Sequence, residues 1–135
     1  MTRHGMYVAV IHLAMVSSVL GGVGCDSSAA PTRHDITSAQ LQEMLQDADP
    51  LVLLDVRTAE EFAAGHIEGA LNRPVEDIET WWSTLDPEVR TAAICKGGAR
   101  SRPAADTLLT KGFTDIYNVL GGMDGWPGET VTGAE

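Results

Sequence analysis

Apolar residues fall at positions 41, 44, 45 and 48 of TSAQLQEMLQDA, the spacing of one helix face. Thr37 and Gln40 stand where a capping box would open that helix, and Pro50 forbids its continuation. The next run, LVLLDV at 51–56, is unbroken apolar sequence of strand length. Such a run suits a strand covered on both faces. TAEEFAAGHI then predicts a short helix ended by Gly65, and GALNRP a brief strand or turn closed by Pro74. VEDIETWWSTL predicts a helix with Ile78, Trp82 and Leu85 on one side. TAAIC at 91–95 is a second buried-type strand. KGGARS is a tight loop, and RPAADTLLTKGF a helix with Pro103 in its first turn and Gly112 past its end. DIYNVL predicts a last strand, and GGMDGW a turn and short helix.

Strands alternating with helices predict an α/β domain with a mainly parallel central sheet flanked by helices on both faces. The chain of 135 residues has room for one such domain. It contains no internal repeat and no low-complexity segment. The expected layout is a signal segment at 1–24, a Ser-, Ala- and Pro-rich tether at 25–34, the folded domain at 35–128 and a polar tail at 129–135.

The N-terminus departs from this pattern. One Arg in MTRHG precedes a run from Met6 to Gly24 without Asp, Glu, Lys or Arg, and small polar residues follow. A basic start, an apolar run and small residues before a break make a secretory signal. The run is also long enough to be a marginal membrane span. Both readings place the remainder outside the cytoplasm, in the periplasm or cell envelope. VLGGVGC resembles a bacterial lipoprotein processing site, in which the cysteine after the cut is lipidated. Gly24 and Val23 suit that pattern; Gly22 does not, since an aliphatic residue usually stands there. Lipidation at Cys25 is the expected outcome, with a cleaved soluble product or an uncleaved anchor as the alternatives.

The formal net charge is −10. That balance argues against a nucleic-acid partner, because phosphate backbones are held mainly by Lys and Arg. Yet three of the nine Lys and Arg residues, Lys96, Arg100 and Arg102, follow Cys95 within seven positions. The chain has two cysteines, so lipidation of Cys25 leaves Cys95 as the sole free thiol. Cys95 ends a predicted strand and precedes a helix, the place where ligands bind in open α/β sheets. Gly97 and Gly98 let the loop turn sharply and present N–H groups inward. The helix start and the three cations favour a thiolate over a thiol. The same features favour an anionic substrate, so the loop reads as an anion cradle with a nucleophile at its base. The alternative is a buried structural cysteine beside a basic surface cluster.

Three segments in this order, LLDVRTAEEFAAGHIEGALNRP, CKGGARS and GFTDIYNVLGGMDGW, make the chain resemble the single-domain rhodanese (thiosulfate sulfurtransferase) family over roughly residues 36 to 127. In that family the sulfur-transferring members carry a six-residue loop beginning with Cys, here Cys95 to Arg100. Related phosphatases carry one residue more. The resemblance implies a rhodanese-like fold and a two-step sulfur transfer with Cys95 as nucleophile. A small anionic donor such as thiosulfate would load a persulfide, and a thiol or cyanide-like acceptor would remove it. It implies a substrate-binding loop of Lys96, Gly97, Gly98, Ala99, Arg100 and Ser101, with Arg100 foremost in contacting the donor. Ser101 would cap the following helix or bond the loop. No metal or organic cofactor is implied, and His4, His12, His34 and His66 are too scattered for a metal site. A monomer is expected.

Asp55 and Arg57 are expected to form a partly buried pair that supports the loops, with Glu61 joining them. His66 is expected to be structural, since a thiolate needs no base. Trp81, Trp82 and Trp126 are expected to pack, with one of them able to wall the cleft. Arg73 stands where the family more often has an aliphatic residue. Competing functions are a persulfide carrier, a non-enzymatic module on the same fold, and a phosphatase or arsenate reductase, which the short loop opposes.

Overall fold

The computed structural model describes residues 30–134. The expected signal segment and Cys25 lie outside the described residues. Five strands, β1 (Thr32–Thr37), β2 (Leu51–Asp55), β3 (Leu71–Asn72), β4 (Arg90–Ile94) and β5 (Asp115–Leu120), form one sheet in the order β1-β5-β4-β2-β3. Every pairing is parallel. Four α-helices connect them: α1 (Ser38–Met44), α2 (Ala59–Ala64), α3 (Ile78–Trp81) and α4 (Ser101–Thr110). Short 3-10 turns lie at Val75–Asp77, Trp82–Thr84 and Gly122–Gly125.

The central strands β2 and β4 are buried on both faces, as their unbroken apolar runs require. On one face Leu54, Ala93, Leu108 and Phe113 pack with Trp81 and Cys95. On the other, Leu41, Leu53, Phe62, Ala92 and Val119 form a second core. Thr37 and Gln40 close the expected capping box on α1, and Thr58 and Glu61 close another on α2. Among the described residues no helix is long and apolar enough to cross a membrane.

The structure departs from the expected elements in three places. β1 begins at Thr32, inside the stretch read as tether, and pairs with β5 along its length. Only Ile36 of its six residues is buried, so this edge strand has no apolar period to read. α1 ends at Met44, leaving Leu45 exposed rather than on the core face. The stretch at 75–85 is a broken series of turns rather than one helix. The Thr80 and Thr84 hydroxyls each donate at 2.7 Å to the carbonyl three residues back, a bond that competes with helix propagation. Ile78, Trp82 and Leu85 do pack against the core, but Trp81 goes deeper, with Nε1 donating to the Pro74 carbonyl at 2.9 Å.

Candidate active site at the Cys95 loop

Cys95 follows the last residue of β4 and is only 1% exposed. The six-residue loop then turns back over its sulfur. Gly98 adopts φ +94°, which an L side chain rarely tolerates, and this brings its N–H to 3.1 Å from Cys95 Sγ. The N–H groups of Arg100 and Ser101 also favour the ionised form of the sulfur. Burial pushes the thiol pKa up, but the Ser101 hydroxyl and these three N–H groups outweigh it, holding the thiol below its ordinary value.

The loop rests on the turn after β5. Met123 N–H donates to the Cys95 carbonyl at 2.8 Å, and Asp124 N–H to the Lys96 carbonyl at 2.9 Å. Gly122 permits this approach: φ is +54°, and a Cβ there would collide with the carbonyls of Cys95 and Lys96. Ser38 Oγ anchors the turn from α1, donating to the Gly122 carbonyl at 2.7 Å. GGMDGW is therefore the buttress of the cysteine loop.

Ser101 does not cap α4; it is the first residue of that helix, and Arg100 occupies the cap position without a side-chain bond. Its hydroxyl donates at 2.8 Å to Asn118 Oδ1 and lies 3.5 Å from Cys95 Sγ. The helix dipole and backbone leave little for a cap to add, because the first-turn N–H groups already face the sulfur. Asn118 Nδ2 in turn donates to Asp35 Oδ1 at 2.9 Å. This bond, more than the nearby Arg33 and Arg102, holds the Asp35 pKa below the usual carboxylate range. Neither Asn118 nor Asp35 figures among the expected site residues. The one sequence signal was an Asn inside the apolar strand DIYNVL, since a fully buried amide must find partners.

The expected pair of Asp55 and Arg57 is present and buried. Arg57 Nη2 meets Asp55 Oδ2 at 2.6 Å and the Gly65 carbonyl at 2.7 Å, tying the end of β2 to the end of α2. Glu61 does not join that pair. Its carboxylate takes Arg100 in a two-pronged bond, with Nη1 at 2.7 Å and Nη2 at 2.8 Å. A fork of this kind is the strongest geometry available to Arg and carboxylate. The Arg100 contact draws the Glu61 pKa down to about 2, and Glu61 raises that of Arg100. Lys96 extends outward to Asp124 at 3.3 Å, both largely exposed. Gly97 and Ala99 complete the loop, and Arg102 lies exposed on the first turn of α4.

His66 is buried, stacked on Phe62 at 3.6 Å between ring centroids, with Nδ1 at 2.9 Å from the Phe62 carbonyl. Its backbone exchanges two 2.9 Å bonds with Val131, so the expected polar tail is partly docked on this corner. Arg73 is half-buried, and its Nη1 donates to the Asn72 carbonyl at 2.7 Å. Trp82 receives Lys111 over its ring at 4.9 Å.

Comparison with known proteins agrees with this geometry. The chain is 32% identical over 104 residues to "Putative sulfur carrier protein YrkF" of Bacillus subtilis, covering 77% of this chain but only 56% of that protein. It is 35% identical over 94 residues to "Thiosulfate sulfurtransferase GlpE" of Pseudomonas putida, covering 67% of this chain and 86% of that one. The crystal structure of a rhodanese-like domain protein from Staphylococcus aureus superposes with a TM-score of 0.69 at 31% identity, over 75% of this chain and 99% of that one. The Rhodanese-like domain family matches residues 37–129, and the chain belongs to it.

Proposed function

We propose that this protein is a sulfurtransferase that carries sulfane sulfur as a persulfide on Cys95. The observation that carries this reading is the convergence of loop N–H groups on Cys95 Sγ, led by Gly98 at 3.1 Å. A thiolate held by fixed donors in a dry site is a ready nucleophile. With thiosulfate as donor, Cys95 Sγ attacks the terminal sulfur. The new Sγ–S bond forms as the S–S bond to the sulfonate breaks, and sulfite leaves with the electron pair. The persulfide then yields its outer sulfur to a thiolate or cyanide, and the electron pair of the Sγ–S bond returns to Cys95. The loop N–H groups bind the sulfur anion at each stage. Donor anions would approach the mouth of the loop, where the Arg100 and Lys96 side chains are themselves paired with Glu61 and Asp124. With Cys95 1% exposed, a slim terminal sulfur has an advantage over a bulky donor.

Mass spectrometry after incubation with thiosulfate tests this. One added sulfur on Cys95, absent from Cys95→Ser, is the expected result. No increment on the native chain overturns the reading. A persulfide carrier shares these steps and differs only in its acceptor, and the likeness to a protein named as a sulfur carrier favours it. A protein thiol that accepts sulfur faster than cyanide does would select the carrier. We further propose export to the cell envelope with lipidation at Cys25. Fatty-acid labelling that is lost in Cys25→Ala tests that anchor.

A further inference from the structure

We infer that Glu61 sets the donor specificity of the loop: by neutralising Arg100 it selects singly charged sulfur donors over doubly charged ones. This rests on the reading above that Cys95 receives the sulfur. Three observations carry it. First, both terminal nitrogens of Arg100 are engaged by one carboxylate, at 2.7 and 2.8 Å. Second, that carboxylate is not free to swing away. Glu61 Oε2 also accepts from the Thr58 N–H at 3.1 Å and lies 3.3 Å from the Thr58 hydroxyl, as part of the cap of α2. Third, the other loop cation, Lys96, is matched by Asp124, and Glu76 also lies near enough to act on Arg100. Two of the three cations that gather around Cys95 in the sequence, Arg100 and Lys96, are thus matched by carboxylates in space. What the loop offers a donor is mainly uncharged N–H groups.

The consequence scales with donor charge. Thiosulfate carries two negative charges, whereas an alkyl persulfide carries one. At a separation of about 10 Å in water, one fixed negative charge disfavours a monoanion about twofold and a dianion about fourfold. The penalty fades as salt shortens the screening length.

Glu61→Gln removes the charge while leaving a side-chain carbonyl that can still accept from the Thr58 N–H. Thr58→Ala loosens the cap and keeps the charge. In each full-length variant, the alkylation rate of Cys95 is read by peptide mass spectrometry with iodoacetate, an anion, and with neutral iodoacetamide. Both reagents consume the same thiolate, so their ratio reports the field at the sulfur and cancels any change in thiolate fraction. At low ionic strength, Glu61→Gln is expected to raise the iodoacetate-to-iodoacetamide ratio about twofold. It is also expected to raise kcat/KM about fourfold for thiosulfate, through KM, and about twofold for 2-hydroxyethyl persulfide. High salt should erase the differences, and Thr58→Ala should leave the ratio unchanged. An unchanged ratio in Glu61→Gln, or an equal change in Thr58→Ala, overturns the inference. A shifted ratio in a protein that takes no sulfur from either donor would sustain the role of Glu61 in the field while sinking the sulfurtransferase reading.

Discussion

The Ser101 hydroxyl donates to Asn118 Oδ1 at 2.8 Å, which leaves its lone pair facing Cys95 Sγ at 3.5 Å. The Asn118 amide cannot turn over cheaply, because its Nδ2 is committed to Asp35 at 2.9 Å. A hydroxyl has one proton to give. It therefore accepts from the Cys95 thiol, and can swing to donate once the sulfur ionises. Both roles lie between β5 and the start of α4, so strand and helix set the chemistry of the thiol jointly.

Ser101→Ala is expected to raise the Cys95 pKa. Burial, which pushes the thiol up, is then opposed only by the N–H groups. One lost hydrogen bond is worth about 0.5–1.5 kcal/mol, or about a two- to tenfold fall in alkylation rate at neutral pH. The pH profile of iodoacetamide alkylation measures it directly. In the native protein its midpoint should lie below that of a free thiol, and a midpoint unmoved by Ser101→Ala would remove the hydroxyl from the account.

Gly122→Ala is expected to damage both stability and the cysteine loop. The new methyl group would strike the carbonyls of Cys95 and Lys96, and the backbone there has φ +54°. Overpacking of this kind costs about 1–3 kcal/mol or more, with the left-handed backbone adding about 1 kcal/mol. Gly112→Ala is the control: φ is +97°, but nothing lies within 4 Å of the added carbon. Denaturant midpoints should fall further for Gly122→Ala, and only that variant should slow persulfide loading. Equal losses in the two variants would mean that the buttress has no special hold on the loop.

The parts of this architecture visible in the sequence are those encoded within a few residues. The apolar runs of β2 and β4, the capping box at Thr37 and the six-residue loop from Cys95 are local signals, and the structure contains each of them. β1 was not visible, because its partner strand supplies the reason for its extended form and only Ile36 is buried. The pairings of Glu61 with Arg100, 39 positions apart, and of Asp35 with Asn118, 83 apart, have no local signature either. Grouping Glu61 with Asp55 and Arg57 followed proximity along the chain. The parallel sheet instead carries α2 and the cysteine loop to one end, where Glu61 meets the last residue of that loop.

Asp55→Ala is expected to be strongly destabilising. Asp55 is fully buried, and it holds Arg57 through bonds from Nε and Nη2. Removing one partner of a buried pair leaves an uncompensated charge and costs about 3–5 kcal/mol. The double variant Asp55→Ala with Arg57→Met should recover part of that loss, because no buried charge remains. Chemical denaturation of the two variants decides the matter, and a double variant no more stable than the single one would show that the charge was not the cause.

Acid should release the clamp between α2 and the cysteine loop. Glu61 is held by Arg100 at a pKa of about 2, below its ordinary value of 4.5. A carboxyl whose pKa falls on folding binds fewer protons in the native state. Its contribution to stability is therefore complete above about pH 4.5 and declines as the pH drops toward 2. Glu61 is partly exposed, so water screens the pair and the effect on global stability is small. Hydrogen exchange is the sharper probe. The backbone amides of the cysteine loop should lose protection across this interval in the native protein. In Glu61→Gln they should already be less protected at pH 6, with little further change on acidification. Equal protection in both proteins at pH 6 would show that the ion pair does not hold the loop in place.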